Sequence, residues 1–418
     1  MNQRDKQELL SSLDGQSERA FHLQSAFTSM QALGPGNNGK GEQAKADYIE
    51  DWLRLHGINH IEHLDAPDDR VPSGKRPNLI ARIPGRTAQT LWILGHMDVV
   101  PAGDISVWKT DPWTVTRDIS DADIIYGRGV EDNQQAMVSM CLVAASIMEL
   151  GIMPDLSLGL IFVSDEETGN AYGIKHVLRE RPGLVAPGDL VIVPDSGSPD
   201  GAFIQVAEKG ILWLRIDIAG RQCHASRPDD GVNALTAASA MILSVSEIEK
   251  QFSKKNMLFD PPRSTFTPTK HELNVPNVNT MSGHEVFYVD CRVLPSYCFD
   301  EVISAFRSKA RQIEKLYGVQ ILVEQAMQEP AALPTSEDSP VITALKQAIK
   351  EVLGVECHCG GIGGSTVACC FREKGIPSAV WSRIFENCHA PNEAARLSYA
   401  VGDAKVFACI LFNNGKDA

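Results

Sequence analysis

Apolar and polar positions fall into three textures along the chain. Over the first 60 residues the spacing predicts helices. In "GEQAKADYIEDWLRLHG" the apolar positions Ala46, Ile49 and Leu53 recur at three- and four-residue steps and stop at Gly57. A second texture follows. "NLIARIPG", "TLWILGH", "LSLGLIFVSDEE" and "DLVIVPDSG" are short, continuous apolar runs rich in β-branched residues. Helical stretches such as "NQQAMVSMCLVAASIMELG" separate several of them. Strands buried on both faces and alternating with helices predict an α/β domain with a mixed, largely parallel sheet.

The third texture begins at residue 209. "GILWLRIDIAG" alternates strictly, with Leu212, Leu214, Ile216 and Ile218 in step, as in a strand with one wet face. "NALTAASAMILSVSEIEKQF" (helix), "HEVFYVDCRVLP" (strand), "CFDEVISAFRSKARQIEKLYG" (helix) and "VQILVEQ" (strand) follow. With one inner strand poorly marked, this order predicts a ferredoxin-like β-α-β-β-α-β module over 209–330. Beyond "EPAALPTSEDSP" the α/β pattern resumes, with "VITALKQAIKEVLG" as a helix and "PSAVWSRI" as a strand. The expected organisation is one α/β domain made of 1–208 and 331–418, interrupted by a smaller α+β domain.

Composition narrows the classes. A chain of 418 residues exceeds one ordinary core, in keeping with two domains. Its formal charge of −14 disfavours a phosphate backbone as partner, so no nucleic acid is expected. No run of about 18 apolar residues predicts a membrane span, and the charged N-terminus does not read as a secretory signal. Ten scattered cysteines suggest reduced thiols in a cytoplasm. "CHC" at 357–359 lacks the second half that a structural zinc clip needs.

The chemistry gathers at predicted strand ends and one helix start: His96 with Asp98, Asp132, Glu166 with Glu167, Asp195 and His389. Strand carboxyl ends line the ligand crevice of open α/β sheets, so distant segments can converge there. Each residue has an ordinary alternative. His96 alone reads as a hydrogen-bonded strand-end histidine, Glu166 and Glu167 as a solvated helix start, Asp132 as an N-cap and Asp195 as a turn residue. Their recurrence at strand ends favours a metal site of nitrogen and oxygen ligands, of the kind zinc takes. The acidic residues outnumber the ligands of one tetrahedral ion, which suits two ions better.

"LGHMDVVP", "YGRGVEDNQQAMVSM", "VSDEETG", "VPDSG", "RQCHASRPDDGVNAL" and "CHAPNE" together resemble the ordered motifs of a dizinc metallopeptidase family. This is family M20, that of aminoacylase, acetylornithine deacetylase and succinyl-diaminopimelate desuccinylase, with dipeptidases and glutamate carboxypeptidases among its members. The resemblance covers nearly the whole chain. It implies a zinc-exopeptidase-like catalytic domain with an inserted dimerisation domain, and hence a homodimer. It also implies two divalent metal ions, zinc with cobalt or manganese as alternatives. His96 and Asp195 would hold one, Glu167 and His389 the other, and Asp132 would bridge them. Asp98 would orient His96, and Glu166 would be the general base for a hydroxide shared between the metals. A cis peptide would follow the bridging aspartate, here Asp132–Asn133. His224 matches a histidine that reaches into the partner subunit's active site, and Arg292 one that grips a substrate carboxylate. Asn279, with Asn277 beside it, matches a substrate-binding asparagine. Taken alone, His224 reads as a surface or strand-end histidine and Arg292 as an edge-strand ion pair. The loop "GGIGGST" at 360–366, with Gly364, offers backbone N–H groups for a carboxylate, or is a plain flexible loop. Where many relatives carry a lysine after the bridging aspartate, this chain has "EDNQQ".

The function these readings favour is hydrolysis of an amide bond in a small carboxylate-bearing N-acyl amino acid, by a deacylase or desuccinylase. A dipeptidase or carboxypeptidase of the same family is the near alternative. A catalytically silent small-molecule-binding protein on this fold is another, which Glu166 and the complete ligand set weigh against. A thiol enzyme built on Cys223 or Cys388 is a third.

Overall fold

The computed structural model describes residues 2–412. The chain divides into two compact units, one of Met1–Val206, Thr335–Cys359 and Thr366–Ala418, the other of Ala207–Pro334 with Gly360–Ser365.

An eight-stranded sheet organises the first unit. Its order is Ile61–His63, Leu79–Ile83, Ser157–Val163, Thr90–His96, Leu190–Gly197, Ser378–Ser382, Phe203–Glu208 and His358–Ile362. From Ser157–Val163 to Ser378–Ser382 the strands pair in parallel, and antiparallel pairings flank them. All seven residues of Thr90–His96 are buried, which explains their unbroken apolar run. Burying Leu91, Ile93 and Leu94 contributes roughly 1.5–3 kcal/mol each.

Helix Gln134–Leu150 is buried from Gln134 through Ile147 and ends at Gly151 in the left-handed conformation. It packs so closely on the central strand that a Cβ at Gly95 would come 3.0 Å from both Met137 Cγ and Asn133 Oδ1. The start of this helix is thereby held beside the end of strand Thr90–His96. The predicted N-terminal helix forms as Gln43–Leu55, with Gly57 at positive φ just beyond. Among the described residues, no helix is long and apolar enough to cross a membrane.

The second unit is a four-stranded antiparallel sheet in the order Thr265–His271, His284–Val293, Gly210–Ala219, Gln320–Glu329. Helices Ala234–Glu249 and Phe299–Tyr317 share its core with Leu212, Leu214, Ile216 and Ile218. Trp213, out of step with these, is 42% exposed. This is the ferredoxin-like arrangement. The poorly marked strand is Thr265–His271, an edge strand with only Phe266 buried and Pro268 in its middle, a residue that edges tolerate. Gly360–Ser365 groups with this unit, whereas the sequence pattern places it in 331–418. The reason is local: Gly361 N–H donates to Leu258 O at 2.6 Å and Lys209 N–H to Ile362 O at 3.0 Å.

Candidate metal centre

The parallel strands end side by side, with His96 opposite Val163 and Ser382 opposite Gly197. The site residues meet there: His96 and Asp195 lie within their strands, Glu167 follows Ser157–Val163, Asp132 precedes helix Gln134–Leu150, and His389 lies in the loop after Ser378–Ser382. His96, the last residue of its strand, has Nε2 2.9 Å from Asp132 Oδ1 and 3.4 Å from Asp195 Oδ1. His389 has Nε2 3.0 Å from Asp132 Oδ2 and 3.2 Å from Glu167 Oε2. Asp132 therefore turns one carboxylate oxygen to each imidazole. Ligand atoms of His96, Asp132 and Glu167 all lie within 4.8 Å of one another.

Asp132 and Asn133 are joined by a cis peptide. Asn133 ties the two strand ends together. Its Nδ2 donates to Asp195 Oδ1 at 2.7 Å and Pro194 O at 2.9 Å, and its Oδ1 accepts from His96 N–H at 3.2 Å. Gly129, in "YGRGVED", has φ +83°, and a Cβ there would lie 2.6 Å from both Val99 Cγ1 and Gln134 Nε2.

Asp98 is 1% exposed. It is the backbone carbonyl of Asp98 that faces His96 Nδ1, at 3.0 Å, while its Oδ1 is 3.6 Å away. Its carboxylate instead accepts the N–H groups of Glu166 and Glu167, each at 3.0 Å. Asp98 thus grips the Glu166–Glu167 turn as well as facing His96.

The electrostatics are those of a cation site. The side-chain hydrogen bonds to Asp132 and Glu167 push His389 up to about 10. Burial pushes Glu167 up to about 7, with Asp132 adding to it. His96 is held well above its usual value: burial opposes its charge, but hydrogen bonds to Asp132 and Asp195 outweigh it. Asp132 is lowered, because His389 and His96 outweigh its desolvation. Burial, reinforced by Asp195, Glu167 and Asp132, pushes Glu166 well above the carboxylate range. Among the described residues, the Glu166 carboxylate has no hydrogen-bond or ion partner; its backbone N–H donates to Asp98 and its backbone carbonyl accepts Gly169 N–H at 3.2 Å. Two imidazoles and three carboxylates with mutually close oxygen and nitrogen atoms fit a divalent cation.

Several supporting residues are not singled out by the sequence pattern. Glu393 is buried, and its Oε1 accepts Glu131 N–H at 3.0 Å and Asp132 N–H at 3.1 Å. Its Oε2 accepts Arg128 Nη1 at 2.6 Å and Gly129 N–H at 3.1 Å. Arg128 also donates to His389 O at 3.3 Å, so Glu393 and Arg128 connect the loops of Asp132 and His389. A signal for Glu393 does exist: it stands four residues after His389 in the motif "CHAPNE".

His224, Asn279, Arg292 and Gly364 lie in the second unit. His224 pairs with Thr280 across a short bridge, and Ala225 N–H donates to Asn279 O at 2.9 Å, so His224 and Asn279 are neighbours. His224 Nδ1 accepts from Ser226 N–H at 3.1 Å, which leaves the proton of the neutral ring on Nε2. Arg292 is engaged within its own unit. Its Nε and Nη2 donate to Asp290 at 2.7 and 3.0 Å, and Nη1 donates to Gly363 O at 2.8 Å. Gly364 follows in that loop, and a Cβ there would meet nothing closer than Ile362 at 3.4 Å.

The imidazoles and carboxylates are the donor set of a metal centre, and the family the sequence matches makes the protein a metallohydrolase acting on peptide or amide bonds. The chain belongs to the family described as peptidase family M20/M25/M40, whose sequence profile matches residues 92–413. An uncharacterized metallohydrolase of Methanocaldococcus jannaschii is 37% identical over 408 residues, covering 94% of this chain and 99% of the relative. A succinyl-diaminopimelate desuccinylase of Magnetococcus marinus is 26% identical over 318 residues, 74% of this chain and 79% of the relative. The fold is that of the di-peptidase Dug1p from Saccharomyces cerevisiae, with a TM-score of 0.77 at 16% identity over 97% of this chain and 98% of that one.

Proposed function

We propose that this protein hydrolyses the amide bond of a small carboxylate-bearing N-acyl amino acid, as a deacylase or desuccinylase. The observation that carries the proposal is the division of the Asp132 carboxylate between His96 and His389, with Asp195 on one side and Glu167 on the other. Two divalent cations held by these five residues, zinc or else cobalt or manganese, would polarise the scissile carbonyl and lower the pKa of an attacking water. Glu166 is the proton carrier: it takes the proton of that water and passes it to the departing amine. Its carboxylate, without a hydrogen-bond or ion partner among the described residues, is free to take up and release that proton. Similarity to a desuccinylase over most of the chain supports an acyl substrate.

His224, Asn279, Arg292 and Gly364 form the substrate side of the reading. His224 presents an Nε2–H donor, suited to a developing oxyanion, and would serve the active site of the partner in a homodimer. Arg292 still has one free N–H on each terminal nitrogen for a substrate carboxylate, beside the glycine loop it holds. None of the ten cysteines forms a disulfide among the described residues, which suits a cytoplasmic setting.

The deciding experiment is hydrolysis of a panel of N-acetyl amino acids, N-succinyl amino acids and dipeptides by zinc- or cobalt-loaded protein. Turnover of an N-acyl amino acid well above every dipeptide is expected. The reverse ranking overturns the acyl assignment and makes the protein a dipeptidase. With the best substrate, His224→Ala is expected to lower kcat by about 10²-fold while zinc content and melting temperature hold. Undiminished kcat in that variant removes His224 from the reaction, and a fully active monomeric wild type removes its cross-subunit role.

A further inference from the structure

Ahead of the residues matched to the family lies a set of buried charges that the chemistry above does not use. Glu42 and Arg76 are 0% exposed and Lys45 is 1% exposed. The Arg76 guanidinium holds Glu42 with two N–H donors, Nε to Oε2 at 2.7 Å and Nη2 to Oε1. Its other terminal nitrogen, Nη1, lies 3.4 Å from Asp165 Oδ1 and 3.6 Å from Asp68 Oδ2. Asp165 immediately precedes Glu166 and has a left-handed backbone, φ +65°. Its carboxylate also accepts Thr168 Oγ1–H and, at 3.0 Å, Tyr172 N–H, which closes the turn around it. From the other direction Asp98 accepts the N–H groups of Glu166 and Glu167. Lys45 Nζ donates to Met97 O at 2.8 Å, beside Asp98. The turn that carries Glu166 and Glu167 is therefore held on both sides, and both holds trace back to the start of helix Gln43–Leu55.

We propose that Arg76 is a positioning residue: anchored on Glu42, it fixes Asp165 and so sets the rotation of the Glu166–Glu167 turn. The inference rests on the reading of Glu166 as proton carrier. A buried guanidinium bound by two of its nitrogens cannot swing without leaving a charge unpaired in the interior, so it serves as a rigid reference point. Lysine keeps the charge but cannot hold Glu42 through two nitrogens and reach Asp165 with a third.

The test uses the full-length, zinc-loaded protein with Arg76→Lys and the double variant Arg76→Met/Glu42→Gln, which removes the Glu42–Arg76 pair together and leaves Asp165 with only its neutral donors, Thr168 and Tyr172. Both are expected to lower kcat by about 10- to 100-fold, with KM and bound zinc within about twofold of wild type. Backbone amides of residues 165–169 are expected to exchange with solvent about tenfold faster, while the central strands keep their protection. Unchanged kcat and unchanged exchange in that segment overturn the proposal. So does faster exchange throughout the sheet, which would mark a general role in stability. If the Arg76 variants do not fold, Asp165→Asn leaves the Glu42–Arg76 pair intact and is held to the same pattern. If wild-type protein turns over nothing in the substrate panel, the failure belongs to the proposed function, and the exchange measurement still decides the positioning role.

Discussion

Glu166→Gln is expected to keep its fold and its metal and to lose about 10³-fold in kcat, within the range a general base contributes. Glutamine matches glutamate in shape but cannot take a proton from water at neutral pH. The expectation of an intact fold follows from the surroundings. Burial, together with Asp195, Glu167 and Asp132, already works against a charge at this position, so a neutral amide relieves repulsion. None of the five proposed ligands is altered, and the Glu166 N–H that binds Asp98 belongs to the backbone. The measurement is kcat and KM on the best panel substrate, with zinc content from elemental analysis and a melting curve alongside. Activity within about tenfold of wild type would show that the proton travels by another route.

The second large effect is expected from metal removal. Dialysis against a strong chelator should lower turnover by about 10³-fold or more, and zinc or cobalt should restore it. Without cations, Asp132, Glu167 and Asp195 are left facing the imidazoles alone, in the arrangement that pushes His389 up to about 10. Alkylation of the thiols, by contrast, should leave activity largely intact. Partial desolvation, reinforced by the nearby carboxylates of Asp132, Glu131 and Glu393, pushes the Cys388 thiol up to about 12, so it is protonated at neutral pH although the residue is exposed. The adjacent His389 has its Nε2 on Asp132 and Glu167. Cys223 turns its thiol to the carbonyls of Arg227, at 3.2 Å, and His224, at 3.5 Å, and not to the His224 ring. An enzyme killed by alkylation and indifferent to chelation would be a thiol hydrolase, and the metal reading would be wrong.

The parts of this site legible in the sequence are those where local pattern and chemistry coincide. His96 closes an apolar run, Glu166 and Glu167 follow another, and Asp195 lies in a third. The supporting charges are less legible. Glu393 has a signal only in its place within "CHAPNE", and nothing local marks Glu42 or Arg76, yet all three are buried. Whether a charge faces water depends on what packs over it from far along the chain, and a local window does not contain that information. The strand Thr265–His271 is hidden for a related reason. As an edge strand it buries one side chain, so it shows no alternation to read.

Periodicity in the chain alone determined the α/β domain with its mixed sheet and the ferredoxin-like module, and residue chemistry marked the histidines and acidic residues as candidates. These follow from short-range rules: side-chain direction repeats every 3.6 residues in a helix and every two in a strand. Only the tertiary structure decided how the carboxylates share their work. It set one oxygen of Asp132 toward each imidazole, gave the Asp98 carboxylate to the Glu166–Glu167 turn, tied Arg292 to Asp290 and Gly363, and drew Gly360–Ser365 into the second unit. Most of these are contacts between segments distant in sequence, and a hydrogen-bond direction or an ion pair exists only once the backbone has brought both partners within about 3 Å.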